Sequence, residues 1–396
     1  MQALHLPGVP LQETPAFTYP HKKPPPSVLV FSSANFPEPP EPQPRSTGSE
    51  SDPPSQSTPA YLIRVLTTAL TRGELTWPET LEPSRFHPYG SAIPGHDVVG
   101  IIQKVYPSPS TSQSPKFNVG DKVWALIDFD RDGAAATLTV AHESELSLIP
   151  DRPSTSTVLV SRWDELLATV PLSGLTAYQA MFIHGGLPRS SLNVTPSPSH
   201  SPSSDKSYRI LVLGAAGSVG VPALSLAHSA GFHVTAVCSS PMLSFVSETL
   251  HAENVIQYPS PDFTSIPDIF TKLSLEPVDL VLDCTGATLL LPILSHPKPV
   301  IREKGRVVTI VAPVEDMVKA ASAPQTPHVP DIPTKFFIVR PSGSDLDILG
   351  KLIAQDRLQM HTDKVFELEQ GREAMELVES RGRRNAGKVV IRVAEE

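Results

Sequence analysis

The stretch Tyr208-Arg-Ile-Leu-Val-Leu-Gly-Ala-Ala-Gly-Ser-Val-Gly220 decides the fold. Its first half is a continuous apolar run, the mark of a strand covered on both faces of a parallel sheet. That run enters a glycine-rich turn directly. Val219, Val221, Leu224 and Leu226 follow in a helical stretch, Gly231 stands where the helix should stop, and 233–238 supplies a second strand. Strand, turn, helix and strand make a βαβ unit of about 30 residues. In the turn, Ala215, Gly217 and Gly220 occupy the three positions of a G-x-G-x-x-G pattern, with alanine in the first. Gly217 lets the backbone approach a pyrophosphate, whose charge is met by the N–H groups of the helix start. Gly220 lets the helix pack closely on the strand. A bare glycine pattern is weak, but in this βαβ setting it points to a dinucleotide.

The end of the second strand indicates which dinucleotide. An acid about 20 residues after the loop would hold the 2′-hydroxyl of NAD. The sequence there reads Val237-Cys238-Ser239-Ser240. No carboxylate repels a 2′-phosphate, and Ser239 offers it a hydroxyl, although no Arg or Lys follows nearby. NADPH is expected over NADH, with NADH left open.

Outward from this unit, further strands are expected at 279–283 and 306–311, separated by helical stretches, which is the pattern of a parallel sheet covered by helices. The first half differs. Short runs at 61–66, 96–105, 122–126 and 136–141, broken by turns, suggest an irregular and mainly antiparallel β domain. The tail offers a helix over 345–355, a strand at 365–368, a helix around 372–380 and a last strand at 388–393. No internal repeat is visible.

Composition narrows the function. A chain of 396 residues is comfortable for two domains, and its net charge of −9 argues against binding nucleic acid. No apolar run approaches the roughly 20 residues of a membrane helix. The two cysteines, Cys238 and Cys284, form no disulfide framework and fit a reducing compartment. Residues 1–10 lack the features of a secretory signal, and the first arginine is Arg45, so the cytosol is the default and the mitochondrion second. The 44 prolines crowd into 36–59, 107–115 and 195–204. These Pro/Ser-rich stretches carry little apolar surface to offset ordering, so insertions are expected at about 36–59 and 189–206.

Other motifs agree with the central loop. They are Pro94-Gly-His-Asp-Val-Val-Gly100, Phe117-Asn-Val-Gly-Asp-Lys-Val-Trp124, Gly174-Leu-Thr-Ala-Tyr178, Asn254-Val-Ile-Gln-Tyr258 and Gly387-Lys-Val-Val-Ile391. In this order the chain resembles the medium-chain dehydrogenase/reductase superfamily, in its zinc-free quinone-oxidoreductase and enoyl-reductase-like branch. The likeness spans nearly the whole chain outside the Pro/Ser stretches. It implies an α/β protein with a Rossmann doubly wound parallel sheet and a GroES-like, mainly antiparallel β substrate domain. The GroES-like part would take 1–172 and 331–396, with the Rossmann domain at 173–330. The same resemblance implies Thr176 near the nicotinamide and Ala216, Gly217, Ser218 and Val219 at the pyrophosphate. It sets Ser239 and Tyr258 near the adenosine 2′ group, although ordinary packing would also explain Tyr258. It further suggests a homodimer through the edge of the nucleotide sheet.

Zinc members of the superfamily use Cys, His and Cys at the catalytic metal, plus a four-cysteine lobe. Here both cysteines fall in the nucleotide half. Thr71 stands near the place of the first ligand, and Val170-Pro-Leu-Ser-Gly174 offers no thiol at the second. His96 alone remains, and one ligand is no site. The expected chemistry is therefore zinc-independent hydride delivery from NADPH to an activated small-molecule acceptor, a quinone or an α,β-unsaturated carbonyl. Tyr89, His96, Thr71 or solvent would supply the proton. Two alternatives stay open: a non-catalytic NADP(H)-binding interaction protein and a zinc-type alcohol dehydrogenase.

Overall fold

Two large sheets divide the chain in a computed structural model, which describes residues 1–6, 25–34, 36–42, 58–77, 93–108, 114–129, 131–156, 159–194, 208–260, 263–321, 332–380 and 386–394. The first part contributes β1 (Ala3–His5), β2 (Val30–Ser32), β3 (Ala60–Leu70), β4 (Asp97–Tyr106), β5 (Lys122–Leu126), β6 (Leu138–His142) and β7 (Leu146–Leu148). The middle supplies β8 (Arg209–Leu213), β9 (His233–Cys238), β10 (Asn254–Gln257), β11 (Val278–Asp283), β12 (Ile301–Thr309) and β13 (Thr334–Phe336). The tail adds β14 (Thr362–Glu367) and β15 (Lys388–Arg392).

The middle strands form a six-stranded sheet in the order β10-β9-β8-β11-β12-β13, and every pairing in it is parallel. This is the doubly wound order, and the strand sequence reverses at β8. The glycine loop therefore leaves β8 at the switch point. The helix that follows, Gly220–Ser229, ends as its sequence suggests. Gly231 adopts φ +73°, its N–H donates to His228 O at 2.9 Å, and Phe232 N–H donates to Ala227 O at 2.9 Å. Strand β12 starts five residues earlier than its apolar run, at Ile301 rather than 306. Arg302, in the early part of that strand, pairs with Asp279 of β11 at 2.8 Å.

The other large sheet runs β14-β15-β3-β4-β5-β7, with β6 on β3. All its pairings are antiparallel except β14 with β15. The last strand of the chain thus lies beside one of the first. One apolar core joins the two sheets, bringing Ala69, Val99, Trp124 and Val390 together with Leu175, Val212 and Leu224.

Two expectations need correction. The run Trp163–His184, 22 residues with mean hydropathy 1.4, is long and apolar enough to cross a membrane. Its apolar window is 89% buried inside the protein, so it serves as a core element between the sheets. The Pro/Ser stretches also begin as packed chain. Phe36 is buried, stacks on His5 with centroids 4.5 Å apart and donates its N–H to Met1 O. Leu192 is buried, and Arg357 donates to its carbonyl at 2.6 Å. Residues 43–57 and 195–207 lie outside the described residues.

Candidate active site and cofactor cleft

The loop after β8 is shaped by three glycines with different tasks. Gly214 has φ +85°, and its N–H and that of Ala215 both donate to Val237 O, at 3.1 and 2.9 Å. The left-handed residue that makes the tight turn is Gly214, just before the alanine in the first position of the glycine pattern. Gly217 closes the turn by donating to Gly214 O at 3.0 Å, and it is exposed. A Cβ there would meet only Gly214 O, at 3.2 Å, and otherwise enter open space. A Cβ on Gly220 would collide with the carbonyl oxygens of Gly214 and Ala215. Gly220 is therefore required by the turn itself rather than by helix–strand packing. The N–H groups of Ala216, Ser218 and Val219 donate to no backbone carbonyl among the described residues. Together with the helix start they make a cradle for an anion.

Ser239 and Tyr258, far apart in sequence, come together at the C-terminal ends of β9 and β10. Ser239 is exposed immediately after β9, and Tyr258 donates its N–H to Cys238 O at 2.8 Å. The Tyr258 ring is half-buried against Phe263, edge to face at 4.7 Å. Burial pushes the Cys238 thiol up to about 11. Burial, with Asp283 beside it, raises Cys284 further. Both stay thiols at neutral pH, whereas metal binding and nucleophilic attack need thiolates. Asp283, unremarked in the sequence, is fully buried. It accepts from Thr285 N–H, Thr285 Oγ1 and Gly286 N–H on one oxygen and from Thr309 Oγ1 on the other. It ties together the loops that flank Gly214.

The helix Pro171–Tyr178 packs on the helix Gly220–Ser229 that follows the glycine loop. A pocket beside Ser218 is lined by Thr169 and Val170, which precede the first of these helices, and by Gln359, His361 and Lys388 of the tail. Thr176 is buried in that helix and donates its hydroxyl to Leu172 O at 2.6 Å, so the helix already satisfies it. The helix start is held by Asp97, whose Oδ1 accepts from Leu172 N–H at 2.7 Å. Asp97 is also ion-paired with Lys388, and both side chains are buried.

Glu74 is the other buried acid here. One of its oxygens accepts from Thr71 N–H at 2.9 Å and the other from Gly95 N–H. It thereby locks the turn after β3 to the residue beside His96. Burial raises its carboxyl to about 7, with the two N–H groups and Lys388 opposing the shift. Sequence reasoning missed Glu74. Only its position after the β3 turn hinted at it, three residues from the flagged Thr71.

The three candidate proton donors fare differently. Tyr89 lies outside the described residues. Thr71 Oγ1 is buried with no hydrogen-bond partner among the described residues. His96 is buried, and its Nδ1 is 3.2 Å from Ile127 O. A carbonyl only accepts, so the Nδ1 proton is engaged there. His96 also touches the rings of Trp77 and Phe129. This set does not suit tetrahedral zinc: a threonine hydroxyl replaces the first thiolate, and both cysteines sit on the nucleotide sheet. Among the described residues, no three His, Cys, Asp or Glu side chains group as a metal site.

Residues 250–391 match a family model described as zinc-binding dehydrogenase. The chain is 32% identical over 336 residues to the probable zinc-binding oxidoreductase, mitochondrial, of Arthroderma benhamiae, spanning 84% of this chain and 88% of that protein. It is 28% identical over 294 residues to the NAD(P)H oxidoreductase RTN4IP1, mitochondrial, of Danio rerio, spanning 71% and 68% respectively. Among solved structures, the quinone oxidoreductase from Coxiella burnetii superposes with a TM-score of 0.67 at 21% identity, covering 100% of this chain and 99% of that one. That last likeness is one of fold.

Proposed function

This chain belongs to the medium-chain dehydrogenase/reductase superfamily and is an NAD(P)H-dependent oxidoreductase, and from that premise we propose that it delivers hydride from NADPH, without zinc, to a quinone or an α,β-unsaturated carbonyl. The observation that carries this reading is the glycine loop at the sheet's switch point, where the N–H groups of Ala216, Ser218 and Val219 donate to no backbone carbonyl among the described residues. The bound nicotinamide would supply the hydride chemistry. The chain's own residues bind and orient. Ala216, Ser218 and Val219 offer N–H groups to the pyrophosphate, and the Ser239 hydroxyl serves the 2′-phosphate. Asp97 and Glu74 hold the facing helix and the β3 turn rigid, so that acceptor and cofactor meet in a fixed geometry. Thr71, with a buried and unused hydroxyl, is the donor we assign to the developing enolate oxygen.

Zinc independence rests on the donor set, although the family description and one relative's name both carry the word zinc. The test is NADPH oxidation by the purified chain against quinones, enones and enoyl thioesters, with metal analysis alongside. Turnover that vanishes with a chelator and returns with zinc overturns the zinc-free reading. NADPH binding with no turnover on any acceptor favours a binding-only protein.

Two relatives carry mitochondrial names, and on that ground the mitochondrion is proposed alongside the cytosol. A fluorescent fusion of the full chain decides between them. We also propose a homodimer through β13, the open edge of the nucleotide sheet, to be checked by sedimentation.

A further inference from the structure

The segment that joins the helix Gly343–Ala354 to β14 is strapped along the helix Gly220–Ser229. Arg357 begins the strap. Its guanidinium donates to Ser229 O at 2.9 Å and to Leu192 O at 2.6 Å, and its carbonyl accepts from the hydroxyls of Ser229 and Ser225. Gln359 makes the next tie, donating its N–H to Ser225 Oγ at 2.8 Å. Ser229 and Ser225 lie one helical turn apart, and two residues of extended chain span about that distance. The strap therefore climbs toward the start of the helix. Its next step brings His361 to the glycine loop, where it lines the pocket beside Ser218 and Val221.

His361 is pinned through its backbone, while its ring nitrogens stay unused. Its carbonyl accepts from Lys388 N–H at 3.1 Å. Gly387, at φ +92°, lies so close that a Cβ there would strike that carbonyl. The imidazole meets Phe245 edge to face, with centroids 4.8 Å apart and planes at 88°. Among the described residues neither ring nitrogen has a hydrogen-bond partner, whereas His96 is tied to Ile127 O. Burial holds the His361 ring below its ordinary value. Of the side chains lining the pocket, Lys388 of β15 is the other ionisable one, and Asp97 already pairs with it. The helix offers Val221 there, the glycine loop Ser218, and neither carries a charge. A half-buried imidazole with no protein acceptor suits a ligand that accepts.

We propose that His361 is a cofactor-contacting residue, whose imidazole donates a hydrogen bond from the tail's side of this pocket to the dinucleotide's pyrophosphate. This rests on the dinucleotide reading of the glycine loop and adds to it a donor from outside the nucleotide sheet. The loop's N–H groups are fixed dipoles and cannot change charge. An imidazole can: an anion beside it favours the protonated ring, so binding draws in a proton near neutral pH. A hydrogen bond between charged groups is worth about ten-fold or more in affinity.

The test uses the full chain with His361→Phe, which keeps a ring against Phe245, and His361→Gln, which keeps a neutral donor. NADH and NADPH are titrated by calorimetry at pH 6.5 in two buffers of different ionisation heat, which counts the protons taken up on binding. NADH carries no 2′-phosphate to titrate, so it gives the cleaner count. Wild type should take up part of a proton with NADH, and both variants should take up less. The Kd for both dinucleotides should rise about ten-fold in His361→Phe and about three-fold in His361→Gln. Should His361→Phe fail to fold, the lost proton uptake in His361→Gln decides alone. Wild-type Kd in His361→Phe, or wild-type proton uptake in either variant, overturns the contact and leaves the glycine-loop site standing. No binding of either dinucleotide to wild type removes the cofactor reading, and this contact with it.

Discussion

Lys388 and Asp97, 291 positions apart in the chain, form an ion pair with both side chains buried. The same carboxylate receives Leu172 N–H, so one acid joins the last strand, the start of β4 and the helix that carries Thr176. Burial pushes Asp97 upward, while the Lys388 ammonium and the Leu172 N–H pull it back toward the ionised form. The last strand, β4 and the start of that helix are thereby fastened together.

Removing only the cation should be costly. Lys388→Met leaves Asp97 buried without its partner and should lose about 3–5 kcal/mol of stability in denaturant unfolding. Adding Asp97→Asn to that variant should recover part of the loss, because the penalty comes from the unpaired charge. A loss under about 1 kcal/mol for Lys388→Met would mean that water reaches Asp97 and the pair is not a buried fastening.

Glu74 should make stability depend on pH. Its carboxyl is raised to about 7 in the folded chain from an ordinary 4.5, so between these values the folded state holds a proton that the unfolded state has released. The contribution is fully present below about 4.5 and is lost as pH rises through about 7. It is on the order of 3 kcal/mol. Asp132, raised by burial from 3.8 to about 7, adds to the same trend. Glu74→Gln should flatten the curve measured by unfolding between pH 4.5 and 7. It should also destabilise at pH 5, because an amide NH₂ would confront one of the two N–H groups. A Glu74→Gln curve with the wild-type slope rules out Glu74 as the source.

The glycine loop separates binding from folding. Gly217→Val should abolish measurable NADPH binding while shifting Tm little, since the new side chain enters the open space left for the pyrophosphate. Gly220→Val should instead unfold readily, because its Cβ would strike two carbonyls of the turn. A cost of about 3 kcal/mol or more is expected there. Calorimetry and thermal melts on both variants distinguish these outcomes. Wild-type NADPH affinity in Gly217→Val would falsify the position of the cofactor site.

Cofactor preference should respond at Ser239, which is exposed directly after β9. Wild type should bind NADPH more tightly than NADH in fluorescence titrations. Ser239→Asp sets a carboxylate against the 2′-phosphate and should weaken NADPH by about ten-fold or more while sparing NADH. Equal wild-type affinities, or an unchanged ratio in the variant, would remove Ser239 from the adenosine end.

Much of the nucleotide half was legible because its signals are local. An apolar run, a glycine spacing and a helix stop each lie within a few residues, so β8, the loop, the helix Gly220–Ser229 and β9 could be read directly. Even there the finer assignments shifted. The left-handed turn falls on Gly214, to which the pattern gave no task, and Gly220 serves the turn's own carbonyls rather than helix–strand packing. Such details depend on where carbonyls point, which residue types alone do not encode. Ser239 and Tyr258 were set near each other only through the family resemblance, whereas the hydrogen bond from Tyr258 N–H to Cys238 O depends on how β9 and β10 pair.

The substrate side shows the opposite balance. From the sequence alone, Thr71, His96 and two distant cysteines read as no Cys-His-Cys zinc set, because that reading depends only on which residue types stand at those positions. It also determined the two kinds of sheet, because periodicity and apolar runs are properties of short segments. Tertiary structure alone decided that Glu74 locks Thr71 to Gly95, that Lys388 pairs with Asp97, and that the rings of Trp77, His96 and Phe129 touch one another. It also decided that the apolar run Trp163–His184 is buried in the core. A buried polar group must find a partner, but which partner it finds is set by how strands far apart in the chain are brought side by side.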